Sequence, residues 1–345
     1  MSASKVNEQW RLAAFPQGEI RPGDFEWSRE PVPKTGEGQI LVRNIYLSVD
    51  PTNRLWASGE ETYLPALELG EVMRGITLGI VEDSRHSKFQ QGDLVSGMLG
   101  WQRYALSDGE GVARLPREDR LPLTAYLGVM GTIGLTAYFG LLEIGRPSPG
   151  ETVLVSAAAG AVGSLVGQIA RLCGCRVVGL AGSAAKCRWI AQDLGFDAAI
   201  NYHDKDIVEA IGLLCPAGVD IYFDNVGGHI LDAAMGAMNR HGRIVVCGQI
   251  SQYNRQTPQQ TFSHMRRFLI NRVRMQAFIV TDYLPRAREA MPALQQWVRD
   301  RKLIYRFDIL EGLEQAPVAL SRVFAGANCG KQLVQISAEP DEYLT

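Results

Sequence analysis

One short stretch limits this chain's fold more than any other. Residues 152–156 read TVLVS, then AAAGAVG, then a helical pattern. A strand that is apolar at successive positions is buried on both faces, which calls for a sheet covered by helices. Beyond it, Val162, Leu165, Val166, Ile169, Leu172 and Cys173 fall on one helical face. Gly160 and Gly163 take the second and third glycine positions of G-x-G-x-x-G, with Ala158 at the first. The second glycine lets the backbone approach a pyrophosphate and the third lets the helix close on the strand. The helix N-terminus offers unpaired N–H groups to the anion. A second strand begins 13 residues beyond Gly163. Strand, turn, helix and strand in this order predict a dinucleotide-binding βαβ unit rather than a plain packing turn.

The rest of the chain divides around this unit. Residues 1–120 read as β: 39–47, 77–82, 93–95 and 101–106 are short strands broken by Gly, Pro, Asn and Asp. From about residue 121 the pattern changes, with helical spacing through 126–142. Strands are then expected at 152–156, 176–181, 198–200, 220–223, 243–247 and 273–280. A helix runs through Trp189 to Leu194-Gly195. Another carries Ile230, Leu231, Met235 and Met238 and stops at Gly242, and a third covers 286–301. Such alternation is that of an α/β protein with a doubly wound parallel sheet. The tail, 305–336, returns to short strands and turns. The expected domains are therefore a β domain of 1–125 plus 305–345 and a nucleotide-binding domain of 126–304.

Which dinucleotide is set by the end of the second strand. An NAD site places Asp or Glu there for the ribose 2′-OH. This chain has Ala181-Gly182-Ser183, with Lys186 following within a turn. A Lys and a Ser hydroxyl attract a 2′-phosphate that a carboxylate would repel, so the cofactor is read as NADPH. Polar residues follow the other strands as well: Asn201-Tyr202, Asp224-Asn225-Val226-Gly227-Gly228, and Gly248 through Asn254. Together they form a polar rim on the edge where ligands of open α/β sheets bind.

Other chemistries lack their residues. None of the five His pairs with a Cys or an acid at metal-ligand spacing, so no metal is expected. The six Cys all lie in the second half, without C-x-x-C spacing, and read as reduced, mostly buried thiols in a cytoplasmic protein. The β domain is expected to hold none. No G-x-S-x-G elbow supports hydrolysis. A net charge of -2 gives no basic footprint for nucleic acid. The uncharged stretch 152–170 starts as a strand and turns through small residues, and 121–142 holds Pro122, four Gly and three Thr, so neither is a membrane span and no membrane partner is expected. Tyrosines in loops remain as acid candidates. Tyr253 follows a parallel strand in the polar rim, where a phenol could donate to a developing oxyanion. Tyr63 lies in a Gly- and Pro-rich stretch, and Tyr46 sits on a strand.

The segments YLSVDP (46–51), GLTAYFGLLEIG (134–145), VSAAAGAVGSLVGQIARLCGCRVVG (155–179), YFDNVGG (222–228), CGQISQYN (247–254), QAFIV (276–280) and GANCGK (326–331) carry a resemblance. The chain resembles the medium-chain dehydrogenase/reductase superfamily, in its zinc-independent branch of prostaglandin and leukotriene reductases, plant double-bond reductases and bacterial curcumin reductases. That resemblance implies a GroES-like β domain joined to a Rossmann domain. It implies that the turn of Gly160, Ala161, Val162 and Gly163 holds the pyrophosphate, and that Ser183, Lys186 and Tyr202 hold the 2′-phosphate end. It implies that Asn225, Cys247, Gly248, Ser251, Tyr253, Phe278, Val280 and Asn328 line the rest of NADPH. Tyr253 matches a tyrosine that assists at the substrate carbonyl, and Ser48 stands where zinc-dependent relatives carry a ligating Cys. Tyr46, Thr52 and Tyr63 are the substrate-side candidates. Thr52-Asn53 and Thr132-Ile133 depart from the branch's usual Tyr-Met and Met-Pro. The implied activity is NADPH-dependent reduction of the C=C bond of α,β-unsaturated ketones and aldehydes, by a cytoplasmic homodimer. A quinone reductase on the same scaffold and a non-catalytic NADPH-binding sensor are the alternatives.

Overall fold

A strand covered on both faces leaves little room for a polar side chain. None of the residues of Thr152–Val155 is more than 4 % exposed. A computed structural model describes residues 5–116, 121–255 and 262–340. It places this strand, β1, at the centre of a six-stranded sheet with β2 (Arg176–Ala181), β3 (Ala198–Asn201), β4 (Val219–Asp224), β5 (Met238–Val246) and β6 (Arg274–Ala277). The spatial order is 3-2-1-4-5-6 and every adjacent pair is parallel. The direction of winding reverses between β1 and β4. At such a switch point the loops after two strands part and leave a crevice for a ligand.

Helices α1 (Ala161–Leu172), α2 (Ala184–Arg188), α3 (Ile207–Leu214) and α4 (Gly228–Ala237) connect the strands. Leu165, Val166, Ile169 and Ala170 of α1 are fully buried. At Gly167 an added Cβ would stand 1.9 Å from the Phe196 ring, so the absent side chain is what admits the phenyl group. These elements belong to one compact unit, Gly128–Arg306. Among the described residues, no helix is long and apolar enough to cross a membrane.

The other unit is Met1–Leu127 with Phe307–Thr345. Its main sheet runs Phe307–Glu311, Lys331–Gln335, Ile40–Ser48, Thr77–Ser84, Leu94–Gly97, Ala113–Arg114, with Tyr104–Ser107 also paired to Ile40–Ser48. The tail strand Lys331–Gln335 pairs antiparallel with Ile40–Ser48, and Leu333 lies opposite Ser48. A separate hairpin joins Val6–Leu12 to Phe25–Pro31.

Several local expectations need correction. The helical spacing through 126–142 is broken: a 3-10 turn covers Leu123–Leu127, and an α-helix starts only at Thr132. Gly128 and Gly131 flank the break, and glycine favours loops over helix interiors. Met238 lies not in a helix but at the start of β5; α4 ends at Ala237 and no helix reaches Gly242. The strand placed at 273–280 is only Arg274–Ala277. The tail is not all strand and turn, because Ala316–Phe324 is a helix that buries Ala316, Ala319 and Leu320. That tail also brings Cys329 into the first unit, which was expected to lack cysteine. All six cysteines are free thiols, but only Cys175 and Cys215 are buried; the other four are half-buried.

Candidate functional site

The turn after β1 is built by backbone crowding. Ala157 adopts φ 47, a left-handed conformation, and its carbonyl accepts the Gly160 N–H at 2.8 Å. Gly160 caps α1 without a side-chain hydrogen bond, so the first N–H groups of the helix are left for another acceptor. An added Cβ on Gly163 would meet Ala157 O at 2.4 Å and Ala158 Cα at 3.0 Å, both backbone. Ala158, at the first glycine position, is 0 % exposed. Its N–H donates to Leu180 O of β2 at 2.9 Å. Ala161 and Val162 open α1 on the other side of the turn.

The ends of β2 and β3 come together beside it. Ser183 caps α2, its oxygen accepting the Lys186 N–H at 3.3 Å. A capping serine uses its lone pair and keeps its O–H as a donor. A Cβ on Gly182 would stand 2.6 Å from the Tyr202 hydroxyl, so Tyr202 lies directly against the end of β2. Burial raises the Tyr202 phenol, which keeps it protonated and able to donate. No acidic side chain occupies positions 181–186. The residues here fit a phosphorylated ribose: the hydroxyls of Ser183 and Tyr202 beside Gly182, with Lys186 in the helix that Ser183 caps.

At the switch point the site has a buried keystone that the sequence did not reveal. Asp224 belongs to β4 and not to the rim, and it is 0 % exposed. Its Oδ1 accepts the Tyr222 O–H at 2.7 Å, the Ser156 O–H at 3.2 Å, and the N–H groups of Val226 and Gly227 at 3.0 and 2.9 Å. Burial pushes this carboxyl upward and those hydrogen bonds oppose the shift. Asn225 reaches across to β1, its Nδ2 donating to Ser156 O at 2.7 Å and its N–H to Ser156 Oγ at 2.9 Å. The signal for Asp224 was an acid placed directly on the apolar run Ile221–Phe223, where a solvated residue would not be expected.

The loop after β5 folds onto that turn. Cys247 N–H donates to Asp224 O at 2.8 Å and Gly248 N–H to the same oxygen at 3.2 Å. Ser251 binds Val226 O twice, by N–H at 3.1 Å and by its hydroxyl at 2.7 Å. The short helix α5 (Ile250–Tyr253) thus hangs from the β4 turn, and the Tyr253 hydroxyl accepts the Gln249 N–H at 3.0 Å. Ser156, Asn225, Cys247, Gly248, Ser251 and Tyr253 are thereby brought together. Phe278 follows β6, its ring 6.4 Å from Phe223 and against Gly140, and Val280 starts the next turn.

Desolvation pushes the Cys247 thiol up to about 12, with the Asp224 charge adding to it; chiefly burial takes Cys175 and Cys215 to about 11, with Glu151 and Asp220 adding at Cys175 and Arg176 opposing at Cys215. A raised thiol pKa means less thiolate and slower alkylation. Iodoacetamide at about pH 8 should leave these three unmodified in the native protein and label all six in denaturant, as read by peptide mass spectrometry. Rapid native labelling of Cys247 would contradict its raised pKa.

The first unit holds the remaining candidates. Thr52 opens a one-turn helix, Thr52–Trp56, and its hydroxyl is hydrogen-bonded to that of Tyr63. The Tyr63 ring meets Trp56 edge-on at 6.4 Å. Burial raises the Tyr63 phenol, while the Thr52 hydrogen bond acts in the opposite sense. Tyr46 is placed differently: it is 5 % exposed, and its hydroxyl donates to Glu339 Oε1 at 2.6 Å. Tyr46 therefore packs and ties down the tail, with its hydroxyl occupied away from the Thr52–Tyr63 pair. Asn328 lies in the tail loop, its Nδ2 donating to Gly330 O at 3.0 Å. Beside Thr52 in sequence, buried Ser48 and half-buried Asp50 meet buried Lys331, a cluster that sequence reasoning left unconnected. Among the described residues, no group of three or more His, Cys, Asp or Glu could hold a metal ion.

Comparison with known proteins adds to this geometry. Residues 8–115 match a family described as the N-terminal domain of oxidoreductase, and residues 161–299 one described as zinc-binding dehydrogenase. The chain is 42 % identical to the NADPH-dependent curcumin reductase of Escherichia coli, over 96 % of this chain and 98 % of that protein. It is 39 % identical to the NADP(+)-dependent 2-alkenal reductase of Nicotiana tabacum, over 98 % of this chain and 100 % of the relative. Among solved structures, CurA of Vibrio vulnificus in complex with NADPH superposes with a TM-score of 0.92 at 41 % identity, covering 96 % of this chain and 100 % of that one.

Proposed function

The chain belongs to the medium-chain dehydrogenase/reductase family, in the branch of curcumin, prostaglandin and alkenal reductases, and from that membership we propose its reaction. It reduces the C=C bond of α,β-unsaturated ketones and aldehydes with NADPH. The observation that carries this reading is identity spread over nearly the whole chain with reductases named for NADPH or NADP(+) and for such substrates. The carboxylate-free end of β2 supports the phosphorylated cofactor independently.

Bound NADPH supplies a hydride, taken at the β-carbon of the conjugated carbonyl. The chain's own part is to bind, orient and stabilise charge. The Gly160–Gly163 turn and the N-terminus of α1 hold the pyrophosphate. Ser183, Lys186 and Tyr202 hold the 2′-phosphate, and Asn225, Cys247, Gly248, Ser251, Phe278, Val280 and Asn328 complete the cofactor's surroundings. Negative charge grows on the carbonyl oxygen as the β-carbon is reduced, and a fixed donor stabilises it. The Tyr253 hydroxyl takes that role, with Thr52 and Tyr63 on the substrate side.

Loss of reduced-nicotinamide absorbance against enones, enals and quinones tests the reaction. Enone and enal turnover with NADPH preferred over NADH is the expected result; turnover of quinones alone would overturn it. Lys186→Ala should raise the KM for NADPH about 10-fold and leave that for NADH unchanged, the scale of one lost charge-assisted hydrogen bond. An equal rise for both cofactors would remove Lys186 from the phosphate site.

The assembly is read as a homodimer in the cytoplasm. In support, β6 is an edge strand whose four residues are all exposed, and the helix before it, Met265–Asn271, exposes Met265, Leu269 and Ile270. An exposed edge strand beside apolar helix side chains calls for a partner. Light scattering should give two chain masses for the protein and one for Leu269→Glu. A monomeric unaltered protein would rule the dimer out.

A further inference from the structure

We propose that Lys331 is a positioning residue for the substrate side of the reaction, clamping the turn from Val49 to Asn53 so that Thr52 and Tyr63 present their hydroxyls in one arrangement. This rests on the reading of that pair as substrate contacts. An ammonium group has three N–H donors, and here each has an acceptor. Lys331 Nζ donates to Val49 O at 2.7 Å and to Gln332 O at 2.8 Å, and it pairs with Asp50 Oδ1 at 3.1 Å. The residue is 3 % exposed. Two of the three acceptors come from consecutive residues, Val49 and Asp50, so one charge fixes both a backbone carbonyl and a side chain.

The grip extends outward from there. Asp50 Oδ2 accepts the Ser48 O–H at 2.5 Å, and Ser48 lies opposite Leu333 on the strand that carries Lys331. The Asp50 N–H donates to Asn53 Oδ1 at 2.7 Å, and Asn53 N–H returns to Asp50 O at 2.9 Å. Asn53, 1 % exposed, donates its Nδ2 to Arg74 O at 3.1 Å. Thr52 sits inside this closed ring and holds Tyr63, which is 39 % exposed. An ion pair with a buried partner stabilises a fold no better than apolar packing of the same volume. The pairing of buried Lys331 with half-buried Asp50, two residues before Thr52, is therefore read as a device for geometry.

A double-mutant cycle separates positioning from stability. The probe is cinnamaldehyde with NADPH, using the full chain. Lys331→Met is expected to lower kcat/KM about 30-fold, within the range that small misplacements cost, with the NADPH Kd within about twofold. In the Thr52→Val/Tyr63→Phe background the same change should cost less than about threefold, because the hydroxyls it positions are gone. Ser48→Ala removes one donor with little loss of volume. It should show the same non-additivity at about a fivefold level, and it carries the test if Lys331→Met does not fold. Equal factors in both backgrounds would make Lys331 merely structural. A weakened NADPH Kd with enone kinetics intact would assign it instead to the Asn328 loop. An unaltered Thr52→Val/Tyr63→Phe protein would refute the substrate-contact reading beneath the proposal.

Discussion

Gly163→Ala is expected to weaken NADPH binding at least about 100-fold. The added carbon would lie 2.4 Å from Ala157 O, 3.0 Å from Ala157 C and 3.0 Å from Ala158 Cα. These are backbone atoms of a turn whose left-handed Ala157 already costs about 1–2 kcal/mol, so the turn has little freedom to yield. Either α1 retreats or the turn opens. Both displace the N–H groups that would meet a pyrophosphate. Gly212→Ala is the matched control: nothing lies within 4 Å of its added Cβ, and it sits in α3. That change should leave binding untouched and stabilise the helix by about 0.5–1 kcal/mol. Fluorescence titration of NADPH decides. A Gly163→Ala Kd within threefold of the unaltered protein would remove the turn from the cofactor site.

Tyr253→Phe should lower kcat about 100-fold or more, with the NADPH Kd changed by less than about fivefold. A preorganised donor at a developing oxyanion contributes roughly 3–4 kcal/mol where it has been removed. Tyr253 has the required fixity. Its oxygen is pinned by the Gln249 N–H, and its helix hangs by Ser251 from the turn that Asp224 shapes. Single-turnover kinetics separate the chemical step from release. An unchanged rate would pass the donor role to a hydroxyl of the cofactor itself.

The parallel sheet was legible because β1, β2 and β4 are apolar at successive positions, a pattern that only two-sided burial explains. The end of β5 was legible for the same reason. Its beginning was not, because Asn239, Arg240 and His241 continue the strand with polar residues that read as the last turn of a helix stopping at Gly242. Ala316–Phe324 escaped because Val318 and Val323 favour strands, while the helix is set by its packing of Ala319 and Leu320. The glycine turn could be read at the level of atoms, since backbone approach is the reason for glycine there. Asp224 and Lys331 could not. Each looks like an ordinary polar residue beside a strand until its partners arrive from β1 and β5, or from Val49 and Asp50, far away in sequence.

The tail strand has a consequence for synthesis. Gly128–Arg306 is one continuous stretch, and every strand around the switch point has been translated before residue 307. The other unit is interrupted, and its sheet is incomplete until Leu333 reaches Ser48. Segments fold as units in the order they leave the ribosome. Gly128–Arg306 can thus fold on the nascent chain before the half bearing Thr52, which waits for the strand Lys331–Gln335. Lys331, the residue proposed to clamp that turn, is translated only after the whole of Gly128–Arg306.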